Sequence, residues 1–271
     1  VIVTSNLPTP ARPPRRTSRT TRIASIDIEW TKNRRIKNGN VPFCYSIVWT
    51  DVPHGDTPAD LADVPFAYTS VYVQDTDETG ALVTSAAAAL HTATEHADVI
   101  TGHQLCADLG VLAATATTPT PTVDQARVVW KRRRAPHEGD PRFVDTRYDS
   151  DHILCETSRR LVDVSTELGL DVTQPELGSK SMTALHRTWL TTNAVEARER
   201  VSVLNLRHSL STAYVAARAA GIGRWDRSRP FNVNRALAAD AAGAWSWLDS
   251  PTFTKLLEDP PCPSATARSS A

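Results

Sequence analysis

Arg22-Ile-Ala-Ser-Ile-Asp-Ile-Glu-Trp30 decides how this chain is read. Ile26, Ile28 and Trp30 alternate with Asp27 and Glu29, a period of two that predicts a strand with one apolar and one acidic face. The two carboxylates point the same way, about 7 Å apart along the strand, and like charges at that spacing repel unless a cation lies between them. A hard divalent ion held by oxygen ligands, Mg²⁺ or Mn²⁺, is the simplest physical reason for such a pair on a core strand. The alternative is an edge strand whose two acids are merely solvated.

Working outward, the residues on either side supply a frame. Thr31 to Asn40 is a basic turn with an Asn38-Gly39 hairpin signal, and Val41 to Trp49 returns as a second strand. This hairpin sets Arg34 and Arg35 beside the acidic face as candidate contacts to a phosphate backbone, or leaves them as an ordinary charged loop. Phe66 to Gln74 alternates as a third strand, and Ser85 to His96 has the composition of a helix. Asp98 to His103 is a short buried strand ending at Gly102. The helix predicted over Gln104 to Ala114 then places Asp108 near the carboxyl end of that strand, where α/β sheets build their sites. Arg142 to Thr146 is one more short strand, ending at Asp145. Helices are predicted over Ile153 to Leu168, Ser181 to Leu190 and Ala194 to Ala219.

Composition narrows the function classes. The 271 residues carry 30 Lys and Arg against 30 Asp and Glu, so net charge alone points to no polyanionic partner, and the placement of charge has to carry any such claim. Four widely spaced cysteines without a C-x-x-C pair argue against a zinc site and a disulfide framework, and favour a reducing cytoplasm. No apolar run approaches the roughly 20 residues of a membrane span. Residues 1–21, rich in Pro and Arg, are expected to be a flexible basic leader, and 259–271 a disordered tail. Thr115 to Asp124 reads as a surface loop. After it Trp130 stands beside four cations, of which Lys131 and Arg132 are the candidate nucleic-acid contacts.

The order of these acids carries a resemblance. Asp27-Ile-Glu29, then Thr101-Gly-His-Gln-Leu-Cys-Ala-Asp108, then Phe143-Val-Asp-Thr146 resemble the first two motifs and following strand of the DEDD superfamily of 3′-5′ exonucleases. That resemblance covers residues 22–220 and implies a ribonuclease H-like fold: a mixed sheet with a three-strand meander, flanked by helices. Residues 221–258 are then a helical extension packed on it. It further implies metal-dependent removal of nucleoside monophosphates from single-stranded or frayed DNA or RNA 3′ ends, with one or two Mg²⁺ or Mn²⁺ ions on Asp27, Glu29 and Asp108.

The family's third motif, a helical Tyr-x-x-x-Asp or His-x-x-x-x-Asp, departs here. Laid on Leu204 to Thr212, it puts Leu204 at the Tyr position and His208 at the Asp position. His208 becomes a substitute ligand or base, or else a surface histidine. His103 in the second motif, Asp145 and the later Asp240 are additional candidates. The same departure supports an alternative: a catalytically degenerate domain that binds nucleic acid or a protein partner through the same cleft.

Overall fold

The computed structural model describes residues 1–9, 12–16, 19–33, 39–154, 158–226 and 231–258. Arg34 and Arg35, the candidate backbone contacts of the first hairpin, and the C-terminal tail from residue 259 lie outside them. The strands are β1 Ile2–Ser5, β2 Thr20–Asn33, β3 Gly39–Pro53, β4 Ala59–Asp60, β5 Phe66–Tyr72, β6 Val99–Gly102, β7 Arg142–Asp145, β8 Leu170–Asp171, β9 Gly223–Arg224 and β10 Phe231–Asn232. The helices are α1 Thr79–His96, α2 Leu105–Thr115, α3 Pro121–Lys131, α4 Leu161–Glu167, α5 Met182–Thr192, α6 Val195–Ala219, α7 Val233–Asp240 and α8 Pro251–Thr254.

Six strands form one sheet in the order β1-β5-β3-β2-β6-β7. β2, β3 and β5 are antiparallel neighbours, the expected meander, while β6 runs parallel to β2 and β7 parallel to β6. The molecule is α/β, and its mixed sheet between helices is consistent with a ribonuclease H-like fold.

Alternation along β2 explains how both faces are covered. Ala24, Ile26 and Ile28 join one core with Leu82, Leu90, Leu105, Leu109 and Val129, so α1, α2 and α3 pack on that face. Ile23 joins the other core with residues of α4, α6 and α7. Every residue from Val201 to Ala217 on α6 is buried except His208. A helix buried on all sides needs cover on all sides. The sheet provides one side, and Trp225, Trp245, Trp247 and Phe253 of the C-terminal extension share the same core with it. Among the described residues no helix is long and apolar enough to cross a membrane.

Three expectations are corrected. The leader is tied to the sheet at its start: β1 pairs antiparallel with β5, Ser5 Oγ donates to the Tyr68 carbonyl at 2.6 Å, and Asn6 Oδ1 accepts from the Tyr68 N–H at 2.8 Å. The many Pro and Arg of residues 8–19 hid the β-forming start Ile2-Val-Thr-Ser5 in the average composition. The helix expected from Ile153 is α4 alone, preceded by a single 3-10 turn at Asp151–Ile153. The loop expected through Asp124 already turns helical at Pro121, a residue whose fixed φ and missing N–H suit the first helical position.

Candidate metal and histidine site

The acidic strand is not an edge. β2 lies between β3 and β6, which excludes two freely solvated acids on a sheet border. The last β2–β6 partners are Ser25 and Thr101, so β2 runs on beyond the end of β6 and carries Asp27 and Glu29 into the crevice at the carboxyl end of the parallel strands. Gly102 makes this end tight. A Cβ there would stand 3.0 Å from the Ile26 carbonyl oxygen and 2.9 Å from the end of the Leu105 side chain, so a larger residue would force Leu105 and the local backbone to shift. A bulge between Glu29 and Trp30 in the pairing with β3 re-aims the chain directly after the second acid.

Helix α6 supplies the opposite wall. Asn205 and His208, three apart, lie on one helical face. Asn205 donates from Nδ2 to Asp27 Oδ2 at 2.7 Å and to the Asp27 carbonyl at 3.2 Å, while its Oδ1 accepts from the Cys44 thiol at 3.7 Å. Ser46 and Ser209 hydroxyls meet at 2.7 Å and fasten α6 to β3 one turn further on. His208 Nδ1 then stands 3.6 Å from Asp27 Oδ2 and 3.4 Å from Glu29 Oε1. Asp27, Glu29 and His208 each offer one ligand atom within 4.8 Å of the others.

Electrostatics follow from that enclosure. Burial alone would lower the His208 pKa, but its hydrogen bonding and attraction to Asp27 and Glu29 outweigh burial and push it up to about 10. The imidazolium is therefore a cation held by two carboxylates. Burial raises Glu29 above the usual carboxylate range, with Asp27 adding to the rise and His208 opposing it. Asp108, on the first turn of α2, feels the charges of Asp27 and Glu29 but is not among the three residues whose ligand atoms come within 4.8 Å of one another. It is 2% exposed, and its Oδ2 finds no hydrogen-bond partner among the described residues. Burial first, then the charges of Asp27 and Glu29, hold its carboxyl well above the ordinary range.

The remaining candidates separate cleanly. His103 is a brace: Nδ1 meets Thr146 Oγ1 at 3.0 Å, Nε2 meets the Arg159 carbonyl at 2.9 Å, and burial lowers it to about 4. Asp145 is likewise saturated. It accepts from the Gln104 and Arg147 N–H groups and from Trp130 Nε1, and in doing so it fixes Gln104 in the left-handed conformation that starts α2. Asp240 lies elsewhere, accepting from the Phe66 N–H at 3.1 Å on β5, so it is no ligand here.

The basic cluster after α3 is largely paired with acids. Arg132 is committed to Asp140 through bonds of 2.7 and 2.6 Å, and Arg133 and Arg134 both pair with Asp149. Arg133 further covers the Trp130 ring at 4.1 Å, which removes that indole face from base stacking. Asp140 and Asp149 thus offset two of the four positive charges of this patch. Lys131 remains exposed.

Two contributors escaped the sequence reading. Asn205 was findable, one helical turn before His208. Gln174, whose Nε2 meets His208 Nε2 at 3.2 Å, comes from a loop with no local signal. Fold and site together define an α/β protein with two carboxylates and an imidazole at the carboxyl ends of its parallel strands. Compared with known proteins, the chain matches no family model and finds no match among curated sequences.

Proposed function

We propose that this protein is a divalent-metal-dependent 3′-5′ exonuclease that trims single-stranded or frayed DNA or RNA ends and releases nucleoside monophosphates. The observation that carries this reading is Asp108: a carboxylate 2% exposed, with one oxygen unpartnered, next to two further carboxylates that already repel it. An unpartnered buried carboxylate is costly, and a cation is the partner that answers it. The donor set fits. Carboxylate oxygens suit Mg²⁺ and Mn²⁺, and His208 would add an imidazole donor that favours Mn²⁺ only on giving up its Nδ1 proton. Asp27, Glu29 and Asp108 would hold the ion, with His208 at its side.

When bound, a divalent ion activates water and stabilises the leaving oxygen of a phosphodiester. The chain's own residues prepare for this in distinct ways. Asn205 fixes the Asp27 carboxylate by its 2.7 Å bond, and His208 Nδ1 holds a proton between Asp27 and Glu29. His103, with both ring nitrogens engaged, braces the turn after β6 rather than moving protons.

The test is degradation of a 5′-labelled single-stranded oligonucleotide with Mn²⁺, with Mg²⁺ and with chelator, for wild type, Asp27→Ala, Asp108→Asn and His208→Ala. A metal-dependent ladder shortened from the 3′ end and lost in Asp27→Ala is expected. A ladder that persists in chelator, or unchanged in Asp27→Ala, overturns the reading.

One observation favours a second reading. His208 already places a positive charge 3.4 and 3.6 Å from the two carboxylates, doing part of a metal ion's electrostatic work. On that reading the domain binds nucleic acid without cutting it, and the same experiment returns retained oligonucleotide binding with no ladder under any metal.

A further inference from the structure

The His208 ring has two ends, and the second is held by a residue that no motif includes. Nδ1 faces the carboxylate pair, while Nε2 lies 3.2 Å from Nε2 of Gln174. We propose that Gln174 is the positioning residue of the site: its amide holds His208 by Nε2 so that Nδ1 stays turned toward Asp27 and Glu29, in the metal-free and the metal-loaded protein alike. This rests on the reading of the cluster as a metal centre only for the loaded state.

The chemistry of an amide makes it suited to that task. A side-chain amide donates from its nitrogen and accepts at its oxygen, and a half-turn about the last bond exchanges the two in nearly the same space. With its nitrogen toward Nε2, as observed, Gln174 can only donate and would meet an unprotonated Nε2; the charged ring described above needs the amide turned over, so that its oxygen faces Nε2–H. Turned over, it accepts from Nε2–H, which leaves Nδ1 free to carry a proton toward the carboxylates or a lone pair toward a cation. A ligating histidine commonly donates its other N–H to an acceptor of this sort, which fixes its orientation.

The segment that presents Gln174 is built to stay in place. Two residues on, Glu176 is fully buried and accepts from Arg207, the neighbour of His208 on α6, through two bonds of 2.6 and 2.5 Å. Arg207 is also fully buried and donates from Nε to Asn234 Oδ1 at 2.6 Å. Trp247 Nε1 donates to Glu176 at 3.3 Å, and Arg200 Nε donates to the Glu176 carbonyl at 2.6 Å. The loop is thus clamped to the helix turn that carries the histidine. Gln174 itself is only partly buried, so replacing it leaves that clamp intact.

The experiment compares wild type, Gln174→Leu, Gln174→Glu and His208→Ala by two readouts. One is the His208 ring carbon and proton NMR signals in the metal-free protein, and the other is Mn²⁺ affinity by calorimetry. Gln174→Leu is expected to move and broaden the ring signals and to weaken Mn²⁺ on the order of tenfold, the low end for loss of a residue that orients a metal ligand. Gln174→Glu, which can only accept when ionised, is expected to restore a single sharp ring environment and affinity at least equal to wild type.

Ring signals and affinity unchanged in Gln174→Leu overturn the proposal, as does a Glu variant that behaves like Leu. If wild type itself binds no Mn²⁺, the metal reading of the cluster fails. The ring signals of the metal-free variants then still decide the role of Gln174.

Discussion

Among single residues, Asp108 carries the sharpest energetic consequence. It is buried with one carboxylate oxygen unpartnered, and burial and the charges of Asp27 and Glu29 raise its pKa well above the ordinary carboxylate value. The sign follows from linkage. A carboxyl raised in the folded state keeps its proton after the unfolded chain has lost it, so its favourable contribution is complete below the unfolded pKa and is lost as pH rises through the folded one. Asp108→Asn retains the shape and removes the charge. The variant should match wild type near pH 4 and exceed it at neutral pH by about 2 kcal/mol, the scale for relieving a buried unsatisfied group. Urea denaturation at the two pH values measures this, and a neutral-pH variant less stable than wild type would sink the argument. Saturating Mn²⁺ should narrow the gap by stabilising wild type, because an ion that binds only the folded state adds stability by mass action.

Between elements, the join of α6 to the loop at Gln174–Glu176 depends on one ion pair with neither partner exposed. Glu176→Ala strands the Arg207 guanidinium without its carboxylate and should cost about 3–5 kcal/mol, whereas a double change to Leu at 176 and Met at 207 removes both charges and should cost much less. Chemical denaturation of single and double variants checks this, and a double variant as unstable as the single one contradicts it. This pair also marks where reading the chain from its residues reached a limit. β2, the meander, the β6–α2 turn and α6 were legible because each has a local signal: alternation at Ile26 to Trp30, Gly102 at a strand end, and a long helical apolar period. The places of Asp27 and Glu29 on β2 and of Asp108 on α2 followed from those elements. Glu176, Gln174 and the cancellation of Arg132 by Asp140 were not legible, because each depends on a partner brought in by tertiary packing. The strand at Ile2–Ser5 was lost for a different reason, since three β-branched residues vanish in a window dominated by Pro and Arg.

For the whole molecule, the question is whether the C-terminal extension is an ornament on the sheet or part of what holds the site. Trp225, Trp245, Trp247 and Phe253 are all at most 7% exposed and share one core with α6. Trp225 donates to the Leu168 carbonyl at 2.8 Å, and Trp245 stacks on Tyr68 of β5 at 5.6 Å, so the extension touches both the helical layer and the sheet. Asn234 and Trp247 complete the hydrogen bonding of the buried Arg207–Glu176 pair. Loss of one such aromatic costs about 3–5 kcal/mol, so losing four together meets or exceeds the whole stability of about 5–15 kcal/mol expected of a domain. A chain ended at Ala220 should therefore fail to unfold cooperatively in urea and should expose apolar surface to a dye such as ANS, with no Mn²⁺ binding. A truncated chain that unfolds in a single transition near the full-length midpoint would show that residues 22–220 stand alone and that the extension only covers them. The geometry argues for the first outcome, because the helix that presents His208 is buried on the face turned away from the sheet as completely as on the face turned toward it.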